Sequence, residues 1–210
     1  MARVTGPLFS LDASGQVGKS VVFSKWKGRN YTRKLVIPKN PKSAKQIGVR
    51  SMMAFLAQAW AALGAGVKDD YDALAETKQI SPFNAYVGEN LARWQVGGTP
   101  AQAYPPVEAS TPAAITSAPL TGHDGYATAV ITPATNADIW GVNVYRDTAE
   151  ITAPSWANCV ATIFRDGVTA FTFTDSPLAD GTYHYRFSQF NVDGIEGTVL
   201  ADDSVVVPPV

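Results

Sequence analysis

Apolar and polar positions alternate in two different rhythms along this chain. Ser20–Trp26 (SVVFSKW) and Tyr31–Ile37 (YTRKLVI) are short runs rich in β-branched and aromatic residues, which suit a pleated strand. Lys27-Gly28-Arg29-Asn30 lies between them and supplies turn residues, so the pair predicts a β-hairpin that Pro38 and Pro41 end. The period then lengthens. Val49, Met53, Leu56, Trp60 and Leu63 recur at steps of three and four, which predicts a helix with one apolar face. Ser43-Ala44-Lys45-Gln46 before it has the form of a capping box, and Gly64 and Gly66 follow it as stops. A short helix is predicted over Lys68–Glu76. A third opens at Ser81-Pro82, with Ser as cap and Pro in the first turn, and Phe83, Val87, Leu91 and Trp94 as its stripe.

The Pro/Ala/Thr-rich stretch from Gly97 to Pro119 interrupts these patterns and predicts a semi-extended linker. After it the rhythm is that of strands. Tyr126–Thr132, Trp140–Arg146, Cys159–Phe164, Ala170–Thr174, Tyr183–Asn191 and Gly197–Val207 are separated by Gly, Asp and Pro at the spacing of a β-sandwich. Trp140, Val142 and Val144 share one side of their strand, as do Tyr183, Tyr185 and Phe187 of theirs.

Leu178-Ala179-Asp180-Gly181-Thr182-Tyr183, followed by Tyr185, Phe187, Gln189, Asn191 and Gly194, resembles the fibronectin type III pattern. Asp180 stands where that pattern has Pro, and Tyr183 follows Thr182 one residue early. The expected fold is therefore an α+β N-terminal domain (a β-hairpin and about three helices) over residues 1–96. A linker over 97–119 and an all-β fibronectin type III-like sandwich over 120–210 complete it.

Composition fits a folded chain of one large or two small domains: 210 residues, 46% hydrophobic and 17% charged. No apolar run approaches the ~20 residues of a membrane span, and MARVTGPLFSLDASG has no signal-peptide pattern, so a soluble protein made in a cytoplasm is expected. Charge changes the picture more. Up to Met53 there are eleven basic residues and one acid, Asp12; after Tyr104 the basic residues are Arg146, Arg165 and Arg186, while acids run from Glu108 to Asp203. Such asymmetry points to a charged partner or to another copy.

Ala13–Ser20 (ASGQVGKS) has the loose form of a phosphate-binding loop. A working loop needs a helix after it, and SVVFSKW reads as a strand. Gly15 and Gly18 are therefore expected to make a turn, with Lys19 as the first charge of a basic hairpin. In that hairpin Lys25, Lys27, Arg29, Arg33 and Lys34 interleave with Trp26 and Tyr31. With Lys19, Lys39 and Lys42 these are the candidate docking residues. An acidic protein surface is the favoured partner. Nucleic acid is the alternative, since basic charge neutralises phosphate and aromatic rings stack on bases.

Other chemistry is sparse. His123-Asp124 lies in a glycine-flanked turn without an accompanying nucleophile motif, and His184 is expected to face solvent. Asp69, Asp70 and Asp72 lack a calcium-loop pattern and are expected to open a helix. Cys159, the only cysteine, is expected as a small buried residue, and Trp60, Tyr71, Phe83 and Trp94 as core. No catalytic residue, metal site or cofactor is expected.

Residues Gly15 to Trp94 resemble a family of small structural proteins of tailed bacteriophages and prophages. The residues that carry the likeness are Gly15, Gly18-Lys19, Val22-Phe23, Trp26-Lys27-Gly28-Arg29-Asn30-Tyr31 and Arg33. They continue through Pro38, Asn40-Pro41-Lys42-Ser43, Gln46, Arg50, Phe55, Trp60, Leu63, Tyr71, Ala75, Ser81, Phe83-Asn84-Ala85-Tyr86 and Asn90. Tyr71 stands where that family has Trp. The resemblance implies a non-enzymatic virion protein, whether head decoration, connector or tail. Its implied partners are other virion proteins; the charge asymmetry adds copies of the chain itself, and the lack of a long apolar run leaves no membrane partner expected.

Overall fold

A computed structural model of the chain describes residues 2–3, 14–37, 43–107, 111–134, 139–164 and 169–209. Its contacts divide it into two units, Met1–Pro41 and Lys42–Val210.

The first unit is a four-stranded antiparallel sheet of β1 (Ala2–Arg3), β2 (Gly15–Val17), β3 (Val21–Trp26) and β4 (Arg29–Lys34), in the order β1-β4-β3-β2. The expected hairpin is β3–β4, with a tighter turn than expected. Lys27 and Gly28 alone make it, at φ 47° and 76°. Two left-handed residues in succession match the twist of the flanking strands, so β4 starts at Arg29 and stops at Lys34. Gly18 and Lys19, at φ 56° and 52°, make a second such turn from β2 into β3, closed by Ser20 N–H donating to the Val17 carbonyl at 3.3 Å. None of residues 14–37 is buried.

The second unit begins with α1 (Ala44–Ala62), α2 (Ala65–Lys78) and α3 (Pro82–Gln95). Ser81 caps α3 as expected, its hydroxyl accepting from Asn84 N–H at 3.2 Å with Pro82 in the first turn. The capping box at α1 does not form. The Ser43 side chain makes no capping bond, and its carbonyl instead takes the Ile47 amide at 2.9 Å. The buried face of α1 is also rotated from the expected one. Gly48, Met52, Phe55, Leu56 and Ala59 are buried, while Met53 is exposed. The cause is a strand packed on that face. A Cβ at Gly48 would overlap the Cys159 carbonyl oxygen, so only glycine admits the approach. α2 starts at Ala65 rather than Lys68, which leaves its first turn without acids. Asp69, Asp70 and Asp72 therefore do not sit at the positive end of the helix dipole.

Seven strands follow among the described residues. β5 (Leu120–His123), β6 (Tyr126–Ile131) and β9 (Phe171–Asp175) form one sheet, ordered β5-β6-β9. β7 (Ile139–Asp147), β8 (Cys159–Phe164), β10 (Gly181–Asn191) and β11 (Asp203–Val207) form the other, ordered β11-β10-β7-β8. Ala127, Ala129 and Ile131 meet Val142, Val144, Tyr185, Phe187, Val205 and Val207 in the core between the sheets. This is a fibronectin type III-like sandwich of three and four strands. The Tyr183 hydroxyl donates to the Ala179 carbonyl at 3.2 Å, so a tyrosine-corner bond forms despite the shortened spacing.

The helices share a second core with the sandwich. Phe55 of α1 sits edge-on to Trp140 of β7 (centroids 4.9 Å apart) and Phe190 of β10 (5.4 Å). Ser51 stitches α1 to the edge strand β8: its hydroxyl accepts from Thr162 N–H at 2.8 Å and donates to the Thr162 carbonyl at 3.3 Å. β7 is buried along seven consecutive residues, Ile139–Tyr145, as a strand covered on both faces must be.

The stretch expected as a linker is bound down as well. The Asn90 side-chain oxygen accepts from Ala101 N–H at 2.8 Å. Arg93 donates to the carbonyls of Thr99 (2.7 Å) and Gly194 (2.9 Å), and Gln189 to that of Ala113 (2.5 Å). Thr99, Ala101, Ile115 and Ala118 are buried. The sequence suggests a partition at 1–96, 97–119 and 120–210; the contacts divide the chain near Pro41, with 97–119 inside the second unit.

Candidate docking face of the N-terminal sheet

The pleat of the first sheet sorts the candidate residues. Trp26 faces Arg29 across β3 and β4, Ser24 faces Tyr31, and Val22 faces Arg33. Side chains alternate between faces, so Trp26, Arg29, Tyr31 and Arg33 emerge on the same side of the sheet. Val21, Phe23 and Lys25, opposite Lys34, Thr32 and Asn30, emerge on the other. Lys19 and Lys27 occupy the two turns, at opposite ends of β3. Lys39 and Lys42 lie outside the described residues.

The first face combines two guanidinium groups, planar donors suited to carboxylate or phosphate, with two aromatic rings. Trp26 is 65% exposed, a large apolar surface for a strand residue, and the Lys27 ammonium lies 4.9 Å from its ring centroid. The phosphate-loop pattern has no such organisation. Its Gly15 to Val17 is strand β2, its Gly-Lys is a hairpin turn, and strand β3 follows where a helix N-terminus belongs.

In the second unit the polar clusters tie elements together. Glu196 accepts from Tyr145 (2.6 Å), Asn143 (3.3 Å) and Ser188, and Thr162 donates to Asn143 at 3.0 Å. Arg146 grips both oxygens of Asp175 at 2.8 and 2.7 Å, and Tyr185 donates to the same carboxylate at 2.8 Å, joining the two sheets. His184, expected to face solvent, instead bonds Asp202 at 2.7 Å. His123 is half-buried, stacked on Tyr126 with centroids 4.4 Å apart. Nothing in the local sequence pattern signals Glu196 or Ser51, whose partners are distant in the chain.

Burial pushes the Cys159 thiol up to about 12 and the Tyr71 hydroxyl up to about 12. A cavity of about 410 Å³ beside α2 and α3 is lined by Tyr71, Glu89, Asn90, Arg93, Val96 and Tyr104. Its cation is spent on backbone carbonyls and its carboxylate on Lys78. Among the described residues no three His, Cys, Asp or Glu side chains converge as a metal site, and no helix is long and apolar enough to cross a membrane.

No protein-family model and no curated protein matches this sequence. Solved structures do. A Fn3-like protein from Clostridium thermocellum is 24% identical over 48% of this chain and 98% of its own, with a TM-score of 0.37. The FN1–FN3 domains of chicken CNTN1 are 14% identical over 49% of this chain and 36% of theirs, with a TM-score of 0.36. A PKD domain of an M14-like peptidase from a Thermoplasmatales archaeon is 16% identical over 47% and 99%, with a TM-score of 0.28.

Proposed function

We propose that this chain is a non-enzymatic structural or accessory protein of a tailed-phage particle. It docks on an acidic surface of the particle, at the head, connector or tail, through its basic N-terminal sheet, and it displays the sandwich. One observation carries the docking role: a four-stranded sheet in which none of residues 14–37 is buried, with Arg29, Arg33, Trp26 and Tyr31 on one face. A sheet of this size without a core gains stability only by covering a face. The sequence resemblance over Gly15–Trp94 supports the particle as the setting. The second unit, helices included, is then the displayed body.

Mass spectrometry of purified particles tests the assignment, and absence of the protein from them refutes it. Incorporation of the variant Arg29→Glu with Arg33→Glu tests the face; undiminished incorporation refutes its role. A nucleic-acid reading draws on the same observation, because two arginines and two aromatic rings on one side suit a single strand. Fluorescence anisotropy with a labelled oligonucleotide decides it. Binding that falls with salt and is lost in Trp26→Ala favours nucleic acid, and no binding at moderate salt ends that reading.

A further inference from the structure

We infer that the acidic surface met by the N-terminal sheet belongs to a second copy of this chain, so that copies associate head to tail. The inference rests on the docking role proposed above and names its partner. The contact boundary is also a charge boundary. Met1–Pro41 holds eight basic residues and one acid, net +7, while Lys42–Val210 holds nine basic residues and seventeen acids, net −8. Two sheets stacked face to face would bring like charges together. A sheet against the body of the next copy brings opposite charges together.

The body offers a matching row on α2. Asp69, Asp72 and Glu76 recur at steps of three and four, so they line one face of the helix, and all three are exposed. They stand beyond the first turn, so the helix dipole does not account for them. The ion pairs seen among the described residues, Lys78–Glu89, Arg146–Asp175 and His184–Asp202, involve other carboxylates. The row spans about 10 Å at 1.5 Å per residue. Arg29 and Arg33, four residues apart on β4, are about 13 Å apart at 3.3 Å per residue, within the reach of their side chains. Trp26 beside them supplies the apolar anchor that such contacts need. An interface between two different surfaces propagates, so the products are rings or open chains.

Sedimentation velocity on the full chain tests the inference. The expected result is species larger than monomer at low salt, with association weakened roughly tenfold or more between about 0.05 and about 0.5 M NaCl. Two charge-reversed variants sharpen it. One carries Arg29→Glu and Arg33→Glu; the other carries Asp69→Lys, Asp72→Lys and Glu76→Lys. Each alone is expected to be monomeric, with the circular dichroism spectrum of the wild type. Mixed, they are expected to associate, because the reversed sheet of one meets the reversed helix of the other. A wild-type chain that stays monomeric at low salt, association indifferent to salt, or a mixture that stays monomeric overturns the inference. The same variants incubated with particles separate the two failures. A monomeric wild type that still binds particles removes the second copy as partner and keeps the docking role. A sheet variant that binds particles as well as wild type removes the docking role itself.

Discussion

Phe55→Ala tests whether the helices and the sandwich melt as one body. The Phe55 ring is 1% exposed and meets Trp140, Phe164 and Phe190 at centroid distances of 4.9, 6.0 and 5.4 Å. Deleting a buried phenylalanine ring costs about 3–5 kcal/mol, of which the lost edge-on aromatic pairs supply about 0.5–1.5 kcal/mol each. For a unit of roughly 170 residues, each kcal/mol lowers Tm by about 2–4 °C, so a loss near 4 kcal/mol predicts a fall of roughly 8–16 °C. The decisive quantity is which signal falls. Differential scanning calorimetry follows the whole unit, and near-ultraviolet circular dichroism reports Trp140 and the sandwich tyrosines. The shared core requires the helical and sandwich signals to drop together in a single shifted transition. A variant in which the helical signal melts early while the sandwich transition keeps its wild-type Tm would refute the reasoning.

Three further outcomes are expected. Ser81→Ala removes the cap of α3 and lowers stability by about 1 kcal/mol in chemical denaturation, whereas Ser43→Ala, which removes no capping bond, changes it little. Burial raises the Tyr71 hydroxyl from its ordinary value near 10 to about 12, and it pushes Tyr86, Tyr145 and Tyr185 higher still. A raised folded value keeps the stabilisation whole below about pH 10 and removes it as pH climbs toward about 12. Tyr71, Tyr86, Tyr145 and Tyr185 should therefore form tyrosinate, read by its absorbance, only as the chain unfolds. Cys159, with its thiol raised to about 12 and fully buried, should ignore a thiol reagent at pH 8 in the native chain and react at once in denaturant.

The sequence announces what local chemistry controls. Lys27-Gly28-Arg29-Asn30 declares a hairpin, Ser81-Pro82 a helix start, and the alternation through Tyr183, Tyr185 and Phe187 a strand with one side in the core. It stays silent where distant partners decide. The period of α1 allows several apolar faces, and β8 selects the one through Gly48, Ser51 and Phe55. The stretch from Gly97 to Pro119 has the composition of a linker, yet Asn90, Arg93 and Gln189 supply the bonds that hold it. Candidate docking residues were legible as a basic, aromatic hairpin. Their division between two faces needed the register Trp26↔Arg29, which depends on the turn having two residues rather than four.

Covering β8 with α1 has a consequence for modular exchange. A graft that takes only residues after the Pro-rich stretch would strip β7 and β10 of their cover. Trp140, Tyr145 and Phe190 would face water, and the edge of β8 would lie open to pairing with other chains. A graft taken from just beyond Pro41 carries both cores with it. The part of this protein that can be inherited or transplanted whole is therefore the helices together with the sandwich, and the basic sheet is the piece that can be exchanged for another address.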